Sequence, residues 1–193
     1  MKSIFTIMLL GMLVAANATP PETVYKLDLR RSAINWTGKK VAGSHSGNIY
    51  VKSGSIVMDK NKIKSGSFEI DMNSITCTDL DADNGRKLVK HLQSEDFFNV
   101  AKYATAKFVI TKATLLKDGS YDITGDLTIK GITKPLSFKT TLDGKGSSKV
   151  AVGTITVDRT KYDIKYGSSN FFEGLGDKVI DNDFTLVLSL VFG

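Results

Sequence analysis

The chain has 193 residues, a formal net charge of +6, 41% hydrophobic residues and a single cysteine. One cysteine excludes an intramolecular disulfide framework, so burial and strand pairing must stabilise the fold. The lysines are scattered among acidic residues, which argues against a nucleic-acid-binding surface and predicts that the protein has no nucleic-acid partner.

The first residues have the features of a secretory signal peptide. Lys2 precedes a short apolar run, and Ala16-Asn17-Ala18 fits a small-x-small cleavage site. We therefore predict a signal peptide at residues 1–18, with a retained N-terminal anchor as the alternative. The apolar run is shorter than the ~20 residues that a membrane span requires.

Cleavage near Ala18 implies an exported chain, so we expect the protein in the periplasm or secreted outside the cell. Residues 19–23 contain two prolines and are predicted to form a flexible leader before one domain at 24–193. The later sequence has no second apolar run of membrane-spanning length, so we predict no transmembrane segment in the mature chain.

The N-terminal part of the domain alternates between apolar and polar residues, as strands do. Strands are predicted at residues 24–29, 33–41, 46–58 and 63–76. The third of them has apolar residues on both faces and contains Gly47 and Gly54, which predicts a strongly bent strand.

The pattern then changes to that of a helix. Leu88, Val89 and Leu92 have helical spacing within residues 86–93, and acidic residues precede them. This is the one predicted helix, and we expect Phe97 and Phe98 to fix it onto the sheet.

Strand patterns resume after the helix, and the most regular alternation in the chain is at residues 121–130. There Tyr121, Ile123, Gly125, Leu127 and Ile129 share one face. Further strands are predicted at residues 103–116, 136–142, 149–158 and 179–192, with a short one at 162–166.

About nine strands and one helix predict an all-β protein. Antiparallel strands with one apolar face must close or stack, so a barrel is the hypothesis and a two-layer sandwich the alternative. A barrel of ~8 strands can either be filled by side chains or hold one small ligand.

Candidate catalytic residues are few. His45 and His91 have no partner at metal-ligand spacing, so no metal site or other cofactor site is predicted. His45 is the only side chain with any appeal for an enzyme acting on a hydrophobic substrate. Asp158 and Arg159 are interpreted as a surface or rim ion pair, and Cys77 as a buried, inert thiol.

Several inward-facing residues are small, namely Gly125, Ala106, Thr140 and Ala113. Small residues facing a barrel axis could leave a tunnel for a long apolar chain. They could equally accommodate large residues on the opposite side, and the alternation does not decide between the two.

Four segments resemble a known family. They are TGKKVAGSHSG, HLQSEDFFNVAKYATAKF, GDLTIKGITKPLSF and VDRTKYDIKYGS, and together they resemble the YceI-like family of exported polyisoprenoid-binding proteins. The likeness extends from about Tyr25 to Phe192. Ala104 stands where family members often have a proline after the tyrosine, a change that alters a turn.

The resemblance implies an extended antiparallel eight-stranded, lipocalin-like β-barrel with one inserted short helix. It implies non-catalytic binding, carriage or storage of a long-chain isoprenoid lipid, such as a quinone tail or a prenyl phosphate. It also implies no catalytic residue. We expect no cofactor apart from such a lipid, and a homodimer is left open.

The resemblance transfers no single diagnostic residue, so the predicted ligand-binding lining comes from the inward faces of this sequence. It comprises Trp36, Phe68, Ile70, Phe108, Ile110, Tyr121, Ile123, Leu127, Phe138, Phe184, Leu186 and Leu188. Arg159 and Lys165 are predicted at the rim, near a polar head group. Ordinary core packing is the alternative for each lining residue.

A solid barrel whose loops bind a protein is the main functional alternative. Residues 168–177 carry Phe171 and Phe172 and would favour it if both are exposed. An enzyme that uses His45 is the less favoured alternative.

Overall fold

The computed structural model describes residues 22–144 and 146–193. The predicted signal peptide lies outside the described residues, as does most of the predicted leader. The first strand begins at Thr23, the last residue of that leader.

Nine strands and one α-helix make up the described chain. The strands are β1 (Thr23–Lys26), β2 (Ala33–Lys40), β3 (Gly43–Asp59), β4 (Lys62–Asp71), β5 (Thr105–Leu115), β6 (Tyr121–Ile129), β7 (Ile132–Asp143), β8 (Lys149–Asp158) and β9 (Ile180–Phe192). The helix α1 (Ala82–Gln93) lies between β4 and β5. Within the described residues, no helix has the length and apolar character needed to span a bilayer.

The sheet closes on itself. Its order is β1-β3-β2-β9-β8-β7-β6-β5-β4, and β3 also pairs with β4. Strands β2 to β9 therefore form a closed eight-stranded antiparallel barrel, while β1 pairs alongside the second half of β3. The predicted barrel is confirmed, and closure leaves the barrel strands without the open edge that invites aggregation.

Strand β3 has apolar residues on both faces because its pairing shifts by one residue. The register with β4 shifts between Val51 and Ser53. Before the shift Ile49 and Val51 are buried, and after it Ile56 and Met58 are buried. One extra residue moves every later side chain to the other face, so the bend predicted from the glycines includes a β-bulge.

Helix α1 begins four residues before the start predicted from the sequence. The Asp81 carboxylate accepts hydrogen bonds from the backbone N–H groups of Asp83 and Asn84, both at 3.0 Å. This is an N-cap, which stabilises a helix start before its apolar residues appear. The strand predicted at residues 162–166 is absent. A 3-10 helix (Arg159–Tyr162) and turns take its place, because Asp158 caps the segment and Asp163 adopts a left-handed conformation.

Candidate functional site

The barrel interior contains two apolar cavities along its axis. The first, which we call the outer lobe, has a volume of about 180 Å³ and is lined by Leu88 and Leu92 of α1. The second, the inner lobe, has a volume of about 100 Å³ and extends towards Leu142 and Phe192 at the opposite end of the barrel. The interior is therefore hollow at two places despite the large side chains on its wall.

The outer lobe has a polar margin. Lys39 and Lys40 at the end of β2, and Asp181 and Asp183 at the start of β9, contribute to its lining. These strand ends lie at the helix end of the barrel, where His45 also lines the cavity. These charged residues lie at the margin of a lobe whose surface is almost entirely apolar.

Helix α1 and the residues after it cover the outer lobe. Leu88 and Leu92 lie one turn apart and both contact the cavity, and Phe97 and Phe98 complete this side. The rings of Phe98 and Phe184 meet edge to face with centroids 6.2 Å apart. Phe98 thus fixes the helix segment onto β9, as predicted, whereas the Phe97 ring packs against His91 and Tyr166.

Asp79 links the loop before α1 to the start of β3. One carboxylate oxygen accepts hydrogen bonds from the backbone N–H of Ser46 at 2.9 Å and from the Cys77 thiol at 3.3 Å, and the other lies 2.9 Å from His45 Nδ1. Desolvation raises the pKa of Asp79, but these bonds outweigh it and lower the pKa to about 2.

The contacts around Asp79 also affect the reactivity of the Cys77 thiol. Desolvation, assisted by the hydrogen bond to Asp79, raises the pKa of the half-buried Cys77 thiol. A raised pKa disfavours the nucleophilic thiolate. In the described ranges, His, Cys, Asp and Glu side chains form no group of three or more that could hold a metal ion.

Inward-facing glycines do not leave gaps. A Cβ atom at Gly125 would lie 2.4 Å from Phe108 Cζ and 2.4 Å from the Val109 carbonyl oxygen. A Cβ at Gly54 would lie 2.6 Å from Phe68 Cδ1. Of the two possibilities that the sequence left open, Gly125 therefore accommodates a large residue and does not open a tunnel, because an aromatic ring covers the glycine. Such coverage of strand glycines by aromatics pins the ring against the sheet.

The other small inward-facing residues differ in which lobe they line. Ala106 lines the outer lobe and Thr140 lines the inner lobe, whereas Ala113 lines neither of the two lobes. The Thr140 hydroxyl donates to the Val152 carbonyl oxygen at 2.8 Å, so its polar atom is satisfied by the barrel wall.

Known proteins match this chain in sequence and in fold. A family model described as the YceI-like domain matches residues 25–192. This chain belongs to the YceI-like family.

Curated relatives of this YceI-like chain match over a short stretch. UPF0312 proteins of Pseudomonas fluorescens SBW25 and of Pseudomonas syringae pv. tomato DC3000 are 51% and 49% identical to it over 57 residues. The matched stretch covers 30% of this chain and 30% of each relative.

Solved structures match over most of the chain. Burkholderia cenocepacia BcnA has a TM-score of 0.69 at 20% identity, covering 86% of this chain and 98% of its own. A polyisoprenoid binding domain from Saccharophagus degradans has a TM-score of 0.62 at 17% identity, covering 87% and 97%. A Campylobacter jejuni YCEI protein has a TM-score of 0.54 at 15% identity, covering 97% and 89%. At these identities the likeness concerns the fold.

The YceI-like barrel brings every predicted lining residue except Tyr121 to one or both lobes. Trp36 and Phe184 line the outer lobe, and Ile70, Leu127 and Leu186 line both. The remainder line the inner lobe, namely Phe68, Phe108, Ile110, Ile123, Phe138 and Leu188.

Tyr121 lines neither of these two lobes. It is 3% exposed, and its hydroxyl donates to the Asn61 carbonyl oxygen at 3.4 Å. Asn61 belongs to the turn between β3 and β4, so this contact lies at the barrel end opposite α1. Tyr121 therefore helps to fill that end.

The two predicted rim residues differ in their roles. Arg159 lines the outer lobe but is 3% exposed, and its guanidinium donates to the carbonyl oxygens of Ile164, Ile180 and Asp181 at 2.9 Å each. Burial lowers the pKa of Arg159, an effect that the nearby carboxylates oppose. The interpretation of Asp158 and Arg159 as a surface or rim ion pair is therefore wrong, because the guanidinium is buried and bonded to backbone carbonyl groups.

Lys165 lies outside the lining of both lobes. Its Nζ atom is 2.7 Å from Asp163 Oδ1 and 5.3 Å from the centroid of the Phe171 ring. The prediction of a head-group contact for Lys165 thus has no support from the shape of the cavity.

Sequence reasoning did not assign the helix side of the outer lobe to the lining. Ile75, Leu88 and Leu92 line it together with the two phenylalanines after the helix. The helical spacing of the leucines was the available signal, because one apolar stripe of a helix must face the protein interior.

Proposed function

We propose that this protein binds a long-chain amphiphilic lipid, such as a polyisoprenoid, in the barrel interior without transforming it. The observation that carries the proposal is the pair of apolar lobes in a closed barrel. The Saccharophagus degradans neighbour, described as a polyisoprenoid binding domain, supports the same ligand class. Carriage or storage of a quinone tail or a prenyl phosphate fits this interior.

The driving force would be hydrophobic. Each methylene group removed from water contributes about 0.8 kcal/mol, so ten of them would contribute roughly 8 kcal/mol before the cost of ordering the chain. A hydrocarbon tail needs no hydrogen bonds. The inner lobe suits it because its one hydroxyl, that of Thr140, is already paired with the barrel wall.

The side chains around the lobes favour binding over catalysis. Arg159 is held by three backbone carbonyl groups, and the Cys77 thiol has a raised pKa. The His45 Nδ1 atom lies 2.9 Å from the Asp79 carboxylate. We therefore assign Asp79 and its partners a structural role at the entrance.

Lipid extraction tests the proposal. Protein expressed with its own leader and purified without detergent should release a prenyl or other long-chain lipid into organic solvent, detected by mass spectrometry. Repeated extraction that yields no lipid, together with failure to take up added prenyl alcohol, would contradict the proposal.

A variant that fills the outer lobe sharpens the test. Ala106 is 6% exposed and lines the outer lobe, so Ala106→Phe should reduce the extracted lipid by about tenfold, equivalent to the loss of about two buried methylene groups. Lys107→Phe is the matched control, because Lys107 is exposed on the outer face of the same strand. Equal lipid content in both folded variants would place the ligand elsewhere.

Export is part of the proposal. The sequence features of residues 1–18 support a periplasmic or secreted location after cleavage near Ala18. Cell fractionation with N-terminal sequencing of the mature protein is the test. A cytoplasmic protein that retains Met1 would contradict this part and leave the lipid-binding proposal intact.

A protein-interaction role is the second candidate, favoured by two exposed aromatic residues. Phe171 and Phe172 are 48% and 49% exposed. If they bind a protein, Phe171→Ser with Phe172→Ser should abolish a complex recovered by crosslinking in cells while leaving lipid content unchanged. Unchanged crosslinking would remove this candidate.

A further inference from the structure

Four side chains line both lobes. Ile34, Ile70, Leu127 and Leu186 are the residues that line both cavities, and we call them the belt. They come from four different strands, β2, β4, β6 and β9. Side chains from different strands form such layers across a barrel of this size. The belt therefore lies where the two lobes meet, with members from four strands of the barrel.

The inner lobe has a blocked far end. Phe192 is 1% exposed and Tyr121 is 3% exposed, and Met58 at the end of β3 is 5% exposed. The hydroxyl of Tyr121 is bonded to the turn that joins β3 to β4. A chain that passes the belt from the outer lobe thus meets packed side chains before it could leave the barrel.

The two lobes differ in polarity as well as in position. Lys39, Lys40 and Asp181 contribute to the outer lobe, whereas the inner lobe has no charged side chain in its lining. A polar head group at the margin of the outer lobe stays near charged side chains, whereas in the inner lobe it would lose its hydration without compensation.

We propose, on the basis of the proposed lipid-binding function, that the inner lobe measures the length of the ligand tail. The ligand class is an amphiphile with one hydrocarbon chain. Its head stays at the charged margin of the outer lobe, its tail crosses the belt, and its last carbons stop at the plugged end.

Ala151 is the residue best placed to change this length. It lies on β8 and lines the inner lobe but not the outer lobe. It pairs with Leu142 and Leu190 in the neighbouring strands. Ala151→Leu adds three carbons to the wall of the inner lobe. Val152→Leu is the matched control, because Val152 is the next residue, points outwards and is 47% exposed.

The test measures how well each ligand displaces a fluorescent fatty-acid probe from the protein. The ligands are saturated fatty acids from octanoate to eicosanoate and a parallel series of prenyl alcohols. Affinity should rise about fourfold for each methylene that finds space, and then level off at a limiting length. Ala151→Leu should shorten that length by at least one two-carbon step without changing the affinity for octanoate. Val152→Leu should bind as the wild type does.

The outcomes separate this inference from the proposed function. If neither series binds the wild-type protein, the proposed function fails and the inference fails with it. If chains bind but the limiting length is the same in folded Ala151→Leu as in the wild type, the measuring role is overturned and lipid binding stands.

A second measurement needs no variant. A fatty acid with a photoreactive diazirine on its last carbon should crosslink to inner-lobe residues such as Ile123 and Leu190. The same group next to the carboxylate should crosslink to Leu88 or Lys40 at the outer lobe. The reverse pattern, or labelling of the outer lobe by both probes, would overturn the proposed orientation.

Discussion

Gly125 illustrates how one residue decides the shape of the barrel interior. The Phe108 ring occupies the space that a side chain at residue 125 would need, and the Val109 carbonyl oxygen lies equally close. The glycine therefore lets a large ring lie against the wall instead of across the axis. The hollow depends on where the rings are held more than on the small size of individual residues.

Gly125→Ala should lower the free energy of unfolding by about 1–3 kcal/mol, because overpacking forces the ring or the backbone to move. Thermal unfolding followed by circular dichroism measures the change. Gly38→Ala is the matched control, since nothing lies within 4 Å of a Cβ atom at Gly38. Equal losses of stability in the two variants would contradict the role assigned to Phe108.

Asp79 makes a pH-dependent contribution to stability. Its pKa is about 2 in the folded protein and 3.8 in its ordinary state. A lowered pKa stabilises the fold above pH 3.8, and the contribution is lost as the pH falls through about 2. Because the Asp79 side chain is 29% exposed, we expect about 1–2 kcal/mol, less than the full linkage value.

The prediction concerns the difference in unfolding free energy between wild type and Asp79→Asn, measured in urea as a function of pH. This difference in unfolding free energy should be constant from pH 5 to 7. It should become smaller as the Asp79 carboxylate is protonated between about pH 4 and 2. A difference that is the same at acid and neutral pH would show that the charge of Asp79 contributes nothing.

Among the secondary-structure elements, the short 3-10 helix after β8 is attached to β9 by Arg159. The guanidinium donates to three carbonyl groups at 2.9 Å, and no lysine can match that planar arrangement. Arg159→Lys should therefore lower the free energy of unfolding by roughly 3 kcal/mol, because buried carbonyl groups lose their partners.

Arg86→Lys is the control for that change. Arg86 lies on α1 with its side chain 72% exposed, so the substitution should change stability by less than about 0.5 kcal/mol. Urea denaturation of both variants measures the difference. A loss at Arg159 as small as that at Arg86 would mean that the carbonyl groups find other partners.

The strand faces were predictable from the sequence, whereas the β3 bulge and the helix start were not. Strict alternation in β6 and β9 identified inward faces correctly, because the side-chain period of a strand is two. The same rule could not place the bulge in β3, since one inserted residue leaves no mark on composition. The helix start was missed because the capping residue Asp81 is polar and lies outside the apolar spacing.

The candidate site was predictable where it depends on strands and not where it depends on tertiary packing. Alternation placed the lining residues of β4 to β7 on the interior, apart from the position of Tyr121 along the axis. Arg159 was assigned to the surface or the rim because a sequence does not reveal three backbone carbonyl groups that converge on one buried guanidinium.

At the scale of the whole molecule, a bound lipid should raise the melting temperature of the protein. A ligand at a hundred times its dissociation constant stabilises the folded state by about 2.7 kcal/mol. Extraction of lipid followed by refolding should thus lower the melting temperature by roughly 5–10 °C, and added prenyl alcohol should restore it. A melting temperature that does not respond to either treatment would count against a ligand in the barrel.

The most direct measurement is a crystal structure of the protein purified from its native source without detergent. The account predicts one continuous tube of electron density that begins near Lys40, crosses between Leu127 and Leu186, and ends before Tyr121. Two empty lobes, or lobes closed by rearranged side chains, would contradict it.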